Sequence, residues 1–86
     1  MPTICEFFGI FIRMYYDDHN PPHFHAYYGE YEAIFSIQTM EMMEGQLPKR
    51  AKALVSEWAL EHRQELVDDW ELAAQHQPLN KIEPLE

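Results

Sequence analysis

The chain has 86 residues, 47% apolar and 14% aromatic, which is enough to fill one modest core and excludes a second domain within residues 1–86. Fifteen acidic against six basic side chains give a net charge of −9, so general nucleic-acid binding is not expected, because it depends on clustered lysine and arginine. The longest strongly apolar run, residues 7–12, is far shorter than the ~20 residues of a membrane span, and no signal peptide is evident. We therefore expect a soluble, cytoplasmic protein.

Residues 4–38 predict a four-stranded antiparallel β-meander. They are rich in β-branched and aromatic residues and are interrupted by Gly9, the Pro21-Pro22 pair and Gly29. The first strand is expected at a sheet edge and ends at Gly9. In the third turn, Gly29 occupies the first central position of a type II′ turn, and this fixes the pairing of the two strands beside it.

This turn sets Tyr28 opposite Tyr31, and the alternation of side chains along a strand then assigns every neighbour to one of two faces. The apolar face is predicted to hold Phe24, Ala26, Tyr28, Tyr31, Ala33, Phe35 and Ile37. The opposite face, called the histidine face below, is predicted to hold His23, His25, Tyr27, Glu32, Ile34 and Ser36, joined by Phe11, Arg13 and Tyr15. Antiparallel pairing would bring Arg13 near His25 and Tyr15 near His23.

Residues 48–75 predict a helix that covers the apolar face, so the fold class is α+β. Pro48 suits a first helical turn, and apolar residues then recur at steps of three and four. A straight helix of this length would extend about 42 Å, about twice the span of the strands. Either the helix bends within residues 61–64, or its end overhangs the sheet and Trp70 meets a partner, such as a second copy in a homodimer.

The two ends of this helical segment add two further expectations. Lys49, Arg50 and Lys52 crowd its first turn, where the helix dipole disfavours positive charge by ~0.3–1 kcal/mol each. Either the acidic strands offset this cost, or the turn binds an anion such as phosphate. Residues 78–86 predict an irregular tail.

Several segments spread over the whole chain carry a resemblance to a known family: MPTI, DHNPPHFHA, LPKRA, EWALEHRQEL, DWELA and KIEPL. Together they are similar to domain-of-unknown-function family 4160, a family of small bacterial proteins. The most specific element is HNPPHFH, residues 19–25. Members are often encoded beside proteins of domain-of-unknown-function family 2442, in arrangements that resemble toxin–antitoxin pairs. The resemblance implies a small protein partner, and it assigns no catalytic residue and no cofactor.

Three interpretations of the histidine segment follow from its residues. In the first, the prolines stiffen a turn, Asp17, Asp18 and Asn20 bond its backbone, and the histidines fill a half-exposed sheet face. In the second, the face binds or reacts, with His23 and His25 as proton carriers and Arg13 as an anion contact. The rest of that binding face would comprise Phe11, Tyr15, His19, Tyr27 and Glu32.

The third interpretation is a metal site. His23 and His25 stand at i and i+2 on one strand and project to one side, as ligands of zinc or another divalent transition metal would. His19, Asp18 or Glu32 would complete the set.

We favour a small interaction component of a toxin–antitoxin-like two-protein module, which needs no cofactor and meets its partner through the histidine face. The alternative is a histidine-dependent hydrolase, metal-assisted or not, that acts as a ribonuclease-like toxin.

Overall fold

A computed structural model describes residues 3–16 and 18–86, and in it an antiparallel sheet is followed by two helices. The strands lie in the sheet in the order of the sequence. In chain order the elements are β1 (Thr3–Phe7), β2 (Ile10–Arg13), β3 (His23–Tyr28), β4 (Tyr31–Ser36), β5 (Met42–Gly45), α1 (Lys49–Glu61) and α2 (Arg63–Ala74). No helix in the described part of the chain is both long and apolar enough to cross a bilayer.

The predicted strand register is confirmed. Gly29 has a φ of +57°, Tyr28 pairs with Tyr31, and Arg13 pairs with His25. The apolar face is buried at Phe24, Ala26, Ala33, Phe35 and Ile37. Tyr28 and Tyr31 pair as predicted but are 37% and 43% exposed, because they flank the turn at the end of the hairpin.

The prediction of four strands is wrong, because β5 adds a fifth strand beside β4. A tight turn reverses the chain after β4, where Ser36 N–H donates to Glu41 O at 2.9 Å and Met40 adopts a φ of +65°. β5 contains methionine, glutamate and glycine but no β-branched residue, so strand propensity does not reveal it. Its pairing satisfies backbone groups that β4 would otherwise leave open on that side.

The predicted helix is bent rather than straight. α1 and α2 are separated at His62, whose φ of −121° and ψ of 28° are not helical. The described residues extend 33 × 25 × 22 Å, so a straight helix of about 42 Å would project beyond the longest dimension. The bend returns Trp70 to the sheet, where it is half-buried against the core with its indole 5.3 Å from the His23 ring. The overhang on which the homodimer prediction depended is absent, and the homodimer itself stays a prediction.

The core lies between the sheet and the helices, and Trp58 of α1 is at its centre. Its ring centroid lies 5.5 Å from that of Phe7 and 5.9 Å from that of Phe24. The indole N–H donates to the Glu83 carbonyl at 2.8 Å. Glu83 belongs to the tail, which packs through Leu79 and Ile82 as the apolar positions of its sequence permit.

Asp69 on α2 is a fully buried acid. Its burial leads us to predict a specific pH dependence of the stability of the fold. Its Oδ1 accepts the Asn80 N–H at 2.9 Å, while Oδ2 has no hydrogen-bond partner among the described residues. Burial raises the pKa of this carboxyl above its ordinary 3.8, and the charges of Asp68 and Glu65 act in the same direction. Stability is therefore lost as the pH rises from about 4, the pKa in the unfolded chain, through the higher pKa in the native state.

We expect Asp69→Asn to raise the free energy of unfolding at pH 7.5, because the amide still accepts from Asn80 and cannot ionise. The gain should shrink at pH 4.5, as urea unfolding at both pH values would show. Glu57→Gln on α1, an exposed acid that is not among the groups that raise this pKa, is the matched control and should change little. A gain of equal size at both pH values would contradict this account.

Candidate functional site

The segment between β2 and β3 carries Asp18 over the histidine face. Asp18 Oδ1 accepts the backbone N–H of His19 at 3.1 Å, which orients the carboxylate. The Asn20–Pro21 peptide is cis, and Pro22 O accepts the N–H of Ile37 at 3.0 Å. The end of the segment is therefore attached to the sheet just before β3 begins.

Two imidazoles converge on one carboxylate oxygen. Asp18 Oδ2 lies 2.8 Å from His23 Nε2 and 3.2 Å from His25 Nε2, and the three potential ligand atoms all lie within 4.8 Å of one another. The side chains of His23, His25 and Asp18 are 3%, 12% and 16% exposed. Because they are largely withdrawn from water, their mutual interactions are stronger than those of surface ion pairs.

The other nitrogen of each ring also faces an oxygen. His23 Nδ1 donates to the Pro21 carbonyl at 2.8 Å. His25 Nδ1 lies 3.5 Å from Glu32 Oε2, a long approach, and this buried nitrogen makes no hydrogen bond with the described residues. The two rings thus have the same orientation, with Nε2 toward Asp18 and Nδ1 toward a second oxygen.

The charge state of Asp18 is set by opposing effects. Burial alone would raise the pKa of this carboxyl, but the hydrogen bond from His25 and the charge of His23 together hold it below its ordinary 3.8. Asp18 is therefore a carboxylate at neutral pH. A buried negative charge shared by two histidines favours a cationic species at this point, either a proton or a metal ion.

Two tyrosines flank His25. Tyr15, predicted to lie near His23, packs edge-on against His25 with ring centroids 4.7 Å apart, and the Tyr27 ring is nearly parallel to the imidazole with centroids 6.3 Å apart. The two hydroxyls are hydrogen-bonded at 2.5 Å. Burial raises the pKa of Tyr27 well above its usual range, and the Tyr15 hydroxyl adds to the effect. Tyr27 is therefore neutral near pH 7, and the pair holds the imidazole in place.

Arg13 lies on the same face but is directed away from the histidine cluster. Its guanidinium carbon is 5.0 Å from the centroid of the Tyr27 ring and 5.9 Å from that of Phe11. Its Nε donates to Thr3 Oγ1 at 3.1 Å. The structure therefore joins Arg13 to an aromatic surface and not to the imidazoles, although the backbones of Arg13 and His25 are paired.

The cluster opens into a cleft of about 310 Å³. Beside the cluster itself, the cleft is lined by His19 and Pro21 of the preceding segment and by Ile34, Met43 and Glu44 of β4 and β5. Met43 and Glu44 belong to β5, the strand that the sequence pattern did not reveal, so neither residue was among the predicted site residues. Their sequence signal is weak: a short stretch between the turn after β4 and Gly45 is long enough for one more strand.

The predicted site residues divide into those that meet and those that stay apart. His23 and His25 meet as predicted, and Asp18 is their third partner. His19, the predicted third ligand, is 85% exposed, and its ring centroid is 5.5 Å from that of His23. Asp18 takes its place because the segment directs the Asp18 carboxylate inward. Glu32, 53% exposed, lies behind His25 rather than inside the cluster.

The predicted anion site lies elsewhere. Lys49, Arg50 and Lys52 are exposed in the first turn of α1. Among residues 3–16 and 18–86, no acidic side chain lies within 4.0 Å of their charged groups. Arg50 lines a separate cleft of about 340 Å³ with Tyr28 and Leu54, which shares no residue with the histidine cleft. No ion pair within the described part of the chain therefore offsets the unfavourable charge there, and anion binding at this turn stays a prediction.

The family comparison covers most of this architecture. A family model described as Domain of unknown function (DUF4160) matches residues 9–71, which include the whole histidine cluster and its flanking tyrosines. No curated protein and no solved structure shows a significant match. The chain belongs to domain-of-unknown-function family 4160.

Proposed function

We propose that this protein is a small interaction component that binds a protein partner through its histidine face, as one half of a two-protein module of toxin–antitoxin type. The observation that carries the proposal is the difference between the two faces of the sheet. Under the helices, Phe24, Ala26 and Phe35 are fully buried, whereas Phe11, Tyr27 and Ile34 on the histidine face retain partial exposure. A partner is what would cover the second face.

The residue types of this face are those that protein interfaces favour. Tyrosine and arginine are enriched among the residues that contribute most to binding. Here Tyr15, Tyr27 and Arg13 already hold one another through a hydroxyl–hydroxyl hydrogen bond and a cation–π contact. Side chains that are fixed before binding lose less conformational entropy when the complex forms.

The charge of the protein indicates the chemistry of the partner. The net charge is −9, and two carboxylates, Glu32 and Glu44, lie at the margin of the histidine face. A partner surface with basic side chains around an apolar centre would complement it, and association should be slower at high salt. This chemistry fits a small protein better than a nucleic acid, whose phosphates the net charge would repel.

The test is binding to a small protein of domain-of-unknown-function family 2442, the partner type that the resemblance implies, measured by calorimetry. We expect Tyr27→Ala and Phe11→Ala each to raise Kd by about tenfold or more, the effect of losing ~1.4 kcal/mol of binding energy. Leu60→Ala, on the exposed side of α1, is the matched control and should bind like the wild type. Unchanged affinity in both aromatic variants, with the fold intact by circular dichroism, would exclude this face as the interface.

Hydrolysis, with RNA as the substrate, is the second candidate, and the shared carboxylate favours one form of it. An acid and a base that act on one phosphate must approach it from different sides, but His23 and His25 both direct Nε2 to Asp18. Arg13, the predicted anion contact, is bound to Tyr27 and Thr3. A water activated on a metal ion suits this arrangement better than a pair of free imidazoles. RNA cleavage that depends on added metal and is lost in Asp18→Asn would support it.

A further inference from the structure

We propose that Asp18, His23 and His25 bind a divalent transition metal ion of the zinc class, through Asp18 Oδ2 and the Nε2 atoms of the two histidines. The proposal requires neither a particular partner nor a reaction. It follows from the orientation of the two rings, from the spacing of the three ligand atoms and from the cleft in front of them.

His23 gives the first argument. The Pro21 carbonyl can only accept, so the Nδ1 atom at 2.8 Å from it must carry the hydrogen. Nε2 then has a lone pair unless a second proton is added, and it faces the Asp18 carboxylate at 2.8 Å. Two lone pairs at that distance repel unless a cation lies between them. A ring that donates Nδ1–H to a backbone carbonyl and offers Nε2 is the usual arrangement of a metal-bound histidine.

His25 repeats this arrangement. Its Nε2 is 3.2 Å from the same Asp18 oxygen, and its Nδ1 faces the Glu32 carboxylate at 3.5 Å. Without a metal, the neutral ring that donates from Nε2 to Asp18 leaves a bare Nδ1 toward Glu32. With a metal on Nε2, the hydrogen moves to Nδ1, and Glu32 becomes its acceptor. Metal binding would therefore satisfy the one buried His25 nitrogen that lacks a hydrogen bond.

The distances suit such an ion. Ligands about 2.0–2.1 Å from zinc in tetrahedral geometry lie about 3.3–3.4 Å apart. The two nitrogen–oxygen separations are 2.8 and 3.2 Å, and no pair of ligand atoms exceeds 4.8 Å. Small side-chain rotations would bring all three to bonding distance. His23 and His25 share one strand, so their relative positions are fixed before the ion arrives.

The donor set and the cleft define the class of ion and the kind of site. Two imidazoles and one carboxylate favour zinc and its transition-metal neighbours over calcium and magnesium, which prefer oxygen ligands. Three protein ligands leave at least one coordination position open, as in catalytic rather than structural zinc sites. That position would face the cleft, whose lining includes a further carboxylate, Glu44.

The test is titration of the metal-free full-length chain with zinc, in competition with a chromophoric chelator. We expect one zinc ion per chain and a loss of affinity of more than about 100-fold in Asp18→Asn and His25→Gln. Glu32→Ala, which removes the acceptor for Nδ1–H without touching a ligand atom, should weaken binding by about 10–100-fold. His62→Gln, outside the cleft, is the control and should bind like the wild type.

His23 is buried, so its substitution could unfold the chain, and the Asp18 and His25 variants carry the test with their fold verified by circular dichroism. Nitrogen-15 NMR gives an independent readout: in the zinc-bound protein both rings should coordinate through Nε2 and keep hydrogen on Nδ1. Absence of saturable binding, retention of affinity in both Asp18→Asn and His25→Gln, loss of affinity in His62→Gln, or coordination through Nδ1 would each overturn the proposal.

Discussion

Replacing Trp58 with alanine is expected to lower the free energy of unfolding by about 3–5 kcal/mol. The side chain of Trp58 extends from α1 onto the sheet, where it is fully buried and contacts Phe7 and Phe24. The change would leave a cavity at the centre of the core and the Glu83 carbonyl without its indole donor. A domain of this size is stable by only about 5–15 kcal/mol, so a large share of the folded state would be lost.

Urea unfolding followed by circular dichroism measures this effect. Leu60→Ala, two residues farther along the same helix at a site that is 63% exposed, is the matched control and should change stability by no more than about 0.5 kcal/mol. Trp58→Phe should fall between the two, because it keeps an aromatic ring but loses the hydrogen bond to the tail. Equal small losses at positions 58 and 60 would show that α1 does not cover the sheet as described.

Gly45→Ala is expected to cost about 2–5 kcal/mol, from a left-handed backbone of about 1–2 kcal/mol and a steric clash of about 1–3 kcal/mol. Gly45 has a φ of +88°, and a Cβ there would lie 2.2 Å from the Glu32 carbonyl oxygen and 2.7 Å from the Ala33 Cα. Both are backbone atoms of β4, which cannot move aside without breaking the sheet. We therefore expect β5 to detach from β4.

Gly29→Ala separates the two contributions. Gly29 also has a positive φ, but a Cβ there would meet nothing within 4 Å, so this variant should lose only about 1–2 kcal/mol. Hydrogen exchange would locate the damage: amides of residues 42–46 should lose protection in Gly45→Ala and keep it in Gly29→Ala. Equal destabilisation by the two variants, or protected β5 amides in Gly45→Ala, would contradict the close approach of the two strands.

Much of the sheet could be predicted because its signals are local. One glycine in a turn fixes the pairing of Tyr28 with Tyr31, and alternation then assigns the faces of both strands. β5 has no comparable signal, because its pairing with Ala33 depends on a glycine that permits two backbones to approach. The sequence could not decide between a straight helix and a break at His62 for a similar reason. Neither glycine nor proline marks the break, and only the short length of the sheet requires the bend.

The site could be predicted in part. Strand alternation placed His23 and His25 on one side, and Arg13 opposite His25. It could not choose Asp18 over His19 as their companion, because the segment before β3 has no periodicity and its neighbouring polar residues look equivalent in sequence. The position of Tyr15 was missed for the same reason, since β2 ends at Arg13 and the regular register ends with it.

The tail has a consequence for the order in which the molecule forms. Ile82 N–H donates to Ile4 O at 2.9 Å, and Lys81 Nζ donates to Thr3 O at 2.6 Å, so residues almost a full chain length apart meet at β1. Neighbouring strands can pair as they leave the ribosome, and α1 can cover the face of β1, but the outer edge of β1 stays open until residues 81–82 have been synthesised. During translation this edge is thus open longer than any pairing between neighbouring strands, and it is there that a nascent chain would be most prone to pair with another strand.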